Sequence, residues 1–427
     1  MSVTLSARRV KQGLTARLER HRAVVLTGIC LYLTFVTTVP ILFTPYRHDD
    51  IINQHTPEVL AASGASLPVA LVRSIADYTE RWAVAQGRFF PGSVAWTQTV
   101  FSVFRSRESY KLFLCVLAGL MIFLAAMLFV ALTRQQRTAA VMIVALSATV
   151  TLRTWVDGLY SFAGLLPLTL CLAIGSTLLL LRGRGAWSVA AAVALWSFGL
   201  VTYEIIILLT PVVCLLVWLE RRSLGRALAL LWPTLADGIL VLYLRSHATL
   251  VDPAYSIDLH SPNLLSTYVK QAGSALPLSQ LWFPGAQAIH VPPGLAALAI
   301  PLVAVPAAVA LLAALPQGPL PSRRALLLLA LTGATLWLIP SALTAATARW
   351  QTEIPPGQGY LSVVWGYVGV AMLLAVAWLA LVRWHRQSPG RLSRSALLGA
   401  TGALSLVVAL NAAQTLAIVS SFTFVAG

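Results

Sequence analysis

Two adjacent carboxylates, Asp49 and Asp50, lie in the run Tyr46-Arg47-His48-Asp49-Asp50-Ile51-Ile52-Asn53-Gln54, just past the first long apolar segment. The 427-residue chain has only 14 acidic residues, so placing two side by side at a membrane surface calls for a use or a neutralising partner. Three chemistries fit the pair. A carboxylate can remove a hydroxyl proton as a general base, two together suit a hard divalent cation, and Asp is a favoured helix N-cap. Adjacent side chains cannot point the same way, so one is read as functional and the other as supporting. Tyr46, Arg47, His48, Asn53 and Gln54 make the site denser in polar groups than a cap needs.

Other candidates recur at intervals along the chain. Gly87-Arg88-Phe89 follows a helical stretch and leaves a cation near an interface. Arg153 and Asp157 have the i,i+4 spacing of a structural ion pair. Tyr203-Glu204 sits where two apolar runs meet, and an acid there needs a partner or a role. Arg245, His247 and Lys270 belong to a second polar stretch, and Arg349-Trp350-Gln351 with Glu353 and Tyr360 to a third. Taken singly, each cation is more readily a surface group. Together they offer arginine forks for phosphate oxygens, aromatic faces for a sugar, and a carboxylate.

Membrane helices are the elements that position these residues. Hydrophobic residues make up 58% of the chain and charged ones 10%, against about 25% charged in soluble domains. The fold class expected is an all-α polytopic membrane protein with about 11 transmembrane helices: 23–44, 109–133, 138–152, 157–181, 186–203, 204–219, 227–245, 293–315, 324–345, 359–382 and 396–418. The stretch 186–219 reads better as two tight helices than as one. Residues 1–22 form a basic N-terminal segment, too long and too little like a cleavage region for a signal peptide, and 23–427 a single transmembrane domain.

The net charge of +16 comes mostly from short gaps between apolar runs. Six basic residues precede the first span, and others fall at Arg134, Arg137, Arg182, Arg184, Arg221, Arg222, Arg226, Arg323, Arg324, Arg383, Arg386, Arg391 and Arg394. These are alternate loops, which the positive-inside rule places in the cytoplasm; the pattern is a topology signal rather than a nucleic-acid surface. It leaves three outer segments, about 45–108, 246–292 and 346–358. Within the first, polar residues from Arg73 to Arg88 recur at three- and four-residue steps, predicting an amphipathic interfacial helix with i,i+4 ion pairs, broken at Pro91-Gly92. Cys30, Cys115, Cys171 and Cys214 all lie within apolar runs without metal-type spacing.

This order of elements resembles the GT-C superfamily of integral-membrane glycosyltransferases, on Arg47-His48-Asp49-Asp50 after the first span, the interfacial helix, and Gly87-Arg88-Phe89. Tyr203-Glu204 is similar to a feature of bacterial Gtr-type members. The resemblance covers roughly the first half of the chain by motif and the second half by topology alone, and the chain departs from some relatives in having no large soluble C-terminal domain. It implies an inverting transfer of a sugar from a polyprenyl-phosphate donor to an acceptor hydroxyl on a glycan, lipid or protein. Asp50, or failing that Asp49, would be the base. Donor binding would fall to Arg88, Arg153, Glu204, Arg245, Arg349, His48 and Tyr203. No cofactor is required on that reading, although a divalent cation at Asp49/Asp50 stays open. The implied location is a bacterial plasma membrane, with the N-terminus cytoplasmic and the active site outside.

The main rival is a transporter or flippase of a lipid-linked or anionic substrate, which would favour pseudo-symmetric halves and midplane ionisable groups. Here only Asp237 reads as midplane. An acyltransferase would want a His-based centre, for which His48 beside Asp49 is the sole candidate. A scaffold would leave the gathering of acids on one face unexplained.

Overall fold

The computed structural model describes residues 21–249, 256–286, 289–315 and 320–423. The basic residues before position 21, and Pro253 and Tyr255 of the second outer segment, lie outside them. Among the described residues the secondary structure is helical, with one isolated bridge between Ile257 and Thr347.

Eight helices are long and apolar enough to cross a membrane: His21–Phe43, Arg107–Thr133, Phe162–Arg182, Leu224–His247, Pro293–Ala314, Arg323–Ala345, Val363–Gln387 and Arg391–Phe422. The other three expected segments are shorter. Gly185–Leu200 and Thr210–Arg221 are separated by a turn and a 3-10 stretch, Glu204–Leu209, so 186–219 is indeed two elements. Thr138–Thr149 has 12 residues, and at about 1.5 Å per residue it rises only about 18 Å of a roughly 30 Å apolar core. The expected eleven spans are thus eight full-length helices and three shorter ones.

The short helix gives way to extended, buried chain from Val150 to Arg153. Backbone of that kind is tolerated at membrane depth only when protein groups satisfy it. Asn411 Nδ2 donates to Ser147 O at 3.0 Å and Val150 O at 2.7 Å. Tyr367 Oη donates to Thr151 O, Gln280 Nε2 to Leu152 O and Tyr160 Oη to Arg153 O, at 3.1, 2.8 and 3.0 Å. Polar side chains at Asn411, Tyr367 and Gln280 therefore fix where the 154–164 loop emerges. That loop carries half of the site.

The helix pair Arg323–Ala345 and Val363–Gln387 crosses at Gly333 and Gly369. A Cβ on Gly369 would lie 2.5 Å from Gly333 O, so the backbones touch in the small-residue manner of membrane helices. In Pro293–Ala314 the π turn Ile300–Ala304, which contains Pro301, interrupts the α-helix.

The basic connections gather at one end. Arg134 pairs with Glu220 at 3.3 Å, Arg182 donates to Val130 O, Arg324 to Leu219 O, Arg383 to Pro321 O and Arg22 to Ala313 O. The 48–50, 153–164, 203–204 and 346–360 stretches meet at the opposite end. The alternation of ends read from charge is the alternation seen in the fold.

The 45–108 stretch is helical at Asp49–Asn53, Thr56–Ala62, Leu67–Gln86 and Pro91–Val103. Only Ala70 is buried in Leu67–Gln86, and Val69, Val72 and Val84 are exposed with the polar residues, as an interfacial helix requires. Its expected i,i+4 ion pairs do not form among the described residues; Arg81 lies instead near the Tyr78 ring, at 6.0 Å.

Candidate active site

The adjacent aspartates part in opposite directions. Asp50 is fully buried and Asp49 exposed. Tyr110 Oη donates to Asp50 Oδ2 at 2.7 Å, and the Ala163 amide approaches Oδ1 at 3.4 Å. Phe162, Ala163 and Gly164 run left-handed, with φ of 56°, 51° and 70°. A tight turn of this kind can aim successive amides at one anion as a nest, and the Phe162 and Ala163 amides both stabilise the Asp50 carboxylate. Burial nevertheless dominates and pushes the Asp50 carboxyl up to about 6, against the opposing pull of Lys111, Tyr110 and those amides. Lys111 Nζ is buried, donates to Tyr160 O at 2.6 Å and lies between the rings of Tyr46, Tyr110 and Tyr160.

Asp50 therefore ties the end of the first span to the 154–164 loop. The preference for it as base is corrected: a carboxylate with no exposed surface, already holding Tyr110 and the nest, does not meet a hydroxyl from outside. Asp49 is left facing the rim. Partial enclosure raises its carboxyl above the usual range, with His48 and Arg349 pulling it down. No group of three or more His, Cys, Asp or Glu that could hold a metal ion gathers among the described residues.

His48 is held by geometry. Its φ is 54° and its ψ −131°, a sparsely populated conformation outside the left-handed helical region, costing about 1–3 kcal/mol for a non-glycine residue. Stacking on Phe162 at 5.7 Å and donation from Nε2 to Trp155 O at 2.6 Å offset this. Burial lowers the imidazole pKa, so the ring acts as a neutral brace that turns the chain into Asp49. Beside it, Trp155, Trp350 and Tyr360 form one aromatic wall, with Trp350 stacked on Tyr360 at 3.7 Å and Trp155 against both at 6.5 and 6.4 Å. Arg349 lies over Trp350 and bonds Glu353 at 3.0 Å.

A second cluster borders this wall. Arg88 Nε is 3.5 Å from Glu204 Oε1, and Arg245 Nη2 is 3.9 Å from Glu204 Oε2. Gly87 explains the placement: its φ is +62°, and a Cβ there would meet Arg245 Cα at 2.6 Å. The helix Leu67–Gln86 closes through Arg88 N to Trp82 O and Gly87 N to Ala83 O, a Schellman-type stop. The next helix begins against the end of Gly185–Leu200, where Gly92 N donates to Val201 O at 2.8 Å. Glu204 raises the Arg88 pKa against the opposing effect of burial, as do Tyr203 and Tyr360. Tyr203 is itself enclosed and raised by that burial. Tyr360 thus borders both clusters.

Arg153 does not join them. It is fully buried, donating from Nε to Tyr367 Oη at 2.5 Å, from Nη1 to Gly357 O at 2.5 Å, and from Nη2 to Ser274 O. Its expected i,i+4 partner Asp157 accepts instead the Arg153 backbone amide at 2.7 Å and the Leu159 amide at 2.6 Å. The expectation that Arg153 binds donor phosphate is corrected, because its guanidinium is spent joining Ser274, Gly357 and Tyr367. Asp237 is buried within Leu231–His247 with Oδ2 unpartnered by a hydrogen bond.

Sequence reading missed Tyr110 and Lys111. The signal was present, since a lysine one turn inside an apolar run is unusual enough to imply a partner. The nest at 162–164 had no such signal, because Phe and Ala rarely adopt left-handed backbone.

No family model matches the chain, and no curated protein matches it. Among solved structures it is similar to ArnT from Cupriavidus metallidurans bound to undecaprenyl phosphate, at 15% identity and a TM-score of 0.39, covering 93% of this chain and 76% of that one. At that identity and score, no residue role or ligand is carried over from it.

Proposed function

We propose that this protein is an inverting membrane glycosyltransferase of the GT-C type. It would move a sugar from a polyprenyl-phosphate donor to an acceptor hydroxyl at the end of the bundle that carries Asp49. The observation that supports it most is the division of labour in the aspartate pair: one carboxylate is immobilised underneath, and the other is exposed within the influence of Arg349, whose neighbour Trp350 belongs to the aromatic wall that Tyr360 links to Arg88. The basic connections gathered at the opposite end support an outward orientation for this one by the positive-inside rule.

In this reading Asp49 accepts the acceptor hydroxyl proton as the oxygen attacks the anomeric carbon. The bond from that carbon to the phosphate oxygen breaks with inversion, and polyprenyl phosphate departs with the electron pair. Arg88, Arg245 and Arg349 would meet the charge developing on the phosphate, with Glu204 holding the first two in register. Trp155, Trp350 and Tyr360 offer faces to the sugar, and His48 and Tyr203 shape the rim. The aspartates fit this chemistry as a base with its foundation, so the proposal routes no step through a metal.

The test is transfer by purified protein from a panel of polyprenyl-phosphate sugars, followed as donor consumption in wild type and Asp49→Asn. Consumption by wild type alone supports the proposal. Movement of lipid or solute across liposomes without donor consumption would instead establish the transporter reading.

A further inference from the structure

The end of the bundle opposite Asp49 carries two adjoining cavities, of about 650 and 490 Å³, which share Arg134 and Glu220 as their common wall. The larger is lined by Arg182 and Arg221 together with the apolar Met127, Val130 and Leu181. The smaller adds Arg222 and Arg324. Five arginines against one glutamate therefore line a two-lobed basin whose larger lobe also has apolar walls.

Its backbone is unusual. Arg134 and Arg222 each end a helix in the left-handed conformation, with φ of 58° and 53°. Glycine is the ordinary occupant of that position, and a residue with a side chain is strained there. A cation at a helix C-terminus recovers part of that strain and not the whole of it. Both strained arginines face the basin.

We propose that this basin binds the headgroup of an anionic phospholipid, with phosphate held by the arginines and the upper acyl chain against the apolar lining of Met127, Val130 and Leu181. Basic hollows between transmembrane helices, at the end where basic loops collect, suit anionic headgroups through charge and through guanidinium forks. Acyl chains give such a ligand a reason to prefer the basin over water that free phosphate lacks. The assignment is independent of the glycosyltransferase reading, since no residue is shared between the two ends.

Native mass spectrometry of the purified full chain would measure it, comparing dilauroyl phosphatidylglycerol with dilauroyl phosphatidylcholine. Wild type is expected to bind the anionic lipid at least tenfold more tightly. An Arg134→Gly/Arg222→Gly variant keeps the left-handed caps and should reduce that preference below threefold with the melting temperature held or raised. Should the glycine pair not fold, Arg182→Gln/Arg324→Gln, at ordinary helical backbone, gives the same readout. Equal affinity of wild type for both lipids would overturn the proposal, as would an undiminished preference in the folded variant. Displacement of the lipid by equimolar inorganic phosphate would overturn the lipid assignment.

Discussion

Replacing Asp50 and Asp49 in turn separates foundation from base. Asp50→Ala removes the acceptor for Tyr110 Oη at 2.7 Å and the carboxylate opposite buried Lys111. Removing one partner of a buried charge pair costs about 3–5 kcal/mol; the carbonyl of Tyr160 and three rings still hold Lys111, placing the expected loss near the lower end. Asp50→Asn keeps an acceptor for Tyr110 but misplaces a donor against the nest, a loss of about 1–3 kcal/mol. Asp49→Asn changes an exposed group and should alter stability by less than about 0.5 kcal/mol, while loss of a general base lowers turnover by about 10²–10⁴. Thermal melting of detergent-purified protein, run beside the donor-consumption assay, reads both axes. Wild-type melting of Asp50→Ala, or wild-type turnover by Asp49→Asn, would refute the assignment of roles.

Three further outcomes follow from the geometry. Gly87→Ala should cost about 1–2 kcal/mol in left-handed strain and about 1–3 kcal/mol in overpacking against Arg245, lowering the melting temperature and raising donor KM more than it lowers kcat. Asp157, whose carboxyl burial pushes up to about 6, holds its proton in the folded chain to higher pH than the roughly 3.9 of an unfolded one. Folding stability from this group is therefore greatest below about pH 4 and falls as pH rises toward about 6; Asp157→Asn should flatten that part of a melting-versus-pH curve. Asn411→Ala strands the carbonyls of Ser147 and Val150 and should cost about 1–3 kcal/mol, read as a lower melting temperature together with faster amide exchange across 147–153.

Much of the fold was legible because membrane helices are written locally. An apolar run of the right length has few alternatives, and the basic loops at Arg134, Arg182, Arg221 and Arg324 fixed which connections share an end. Helices too short to span, such as Thr138–Thr149, looked like spans because Val150-Thr151-Leu152 carries the apolar run on without a break. Its polar partners, Asn411, Tyr367 and Gln280, lie more than 100 residues away. The candidate site was half legible: Arg88, Glu204 and Arg245 do meet, whereas Arg153 was miscast because a buried arginine and a ligand-binding arginine have the same sequence signature.

The sequence by itself determined that this is a polytopic helical protein, which connections lie at which end, and that Asp49-Asp50 belongs with the polar end. These follow from composition and from the cost of placing charge in hydrocarbon, both additive along the chain. Which aspartate faces the rim was decided only in three dimensions. Adjacent residues share the same local sequence, and the choice rests on a nest at Phe162–Ala163, a hydroxyl at Tyr110 and an ammonium at Lys111, all brought to Asp50 by packing. The tertiary contacts hold Asp50 within the bundle and leave Asp49 exposed at the rim.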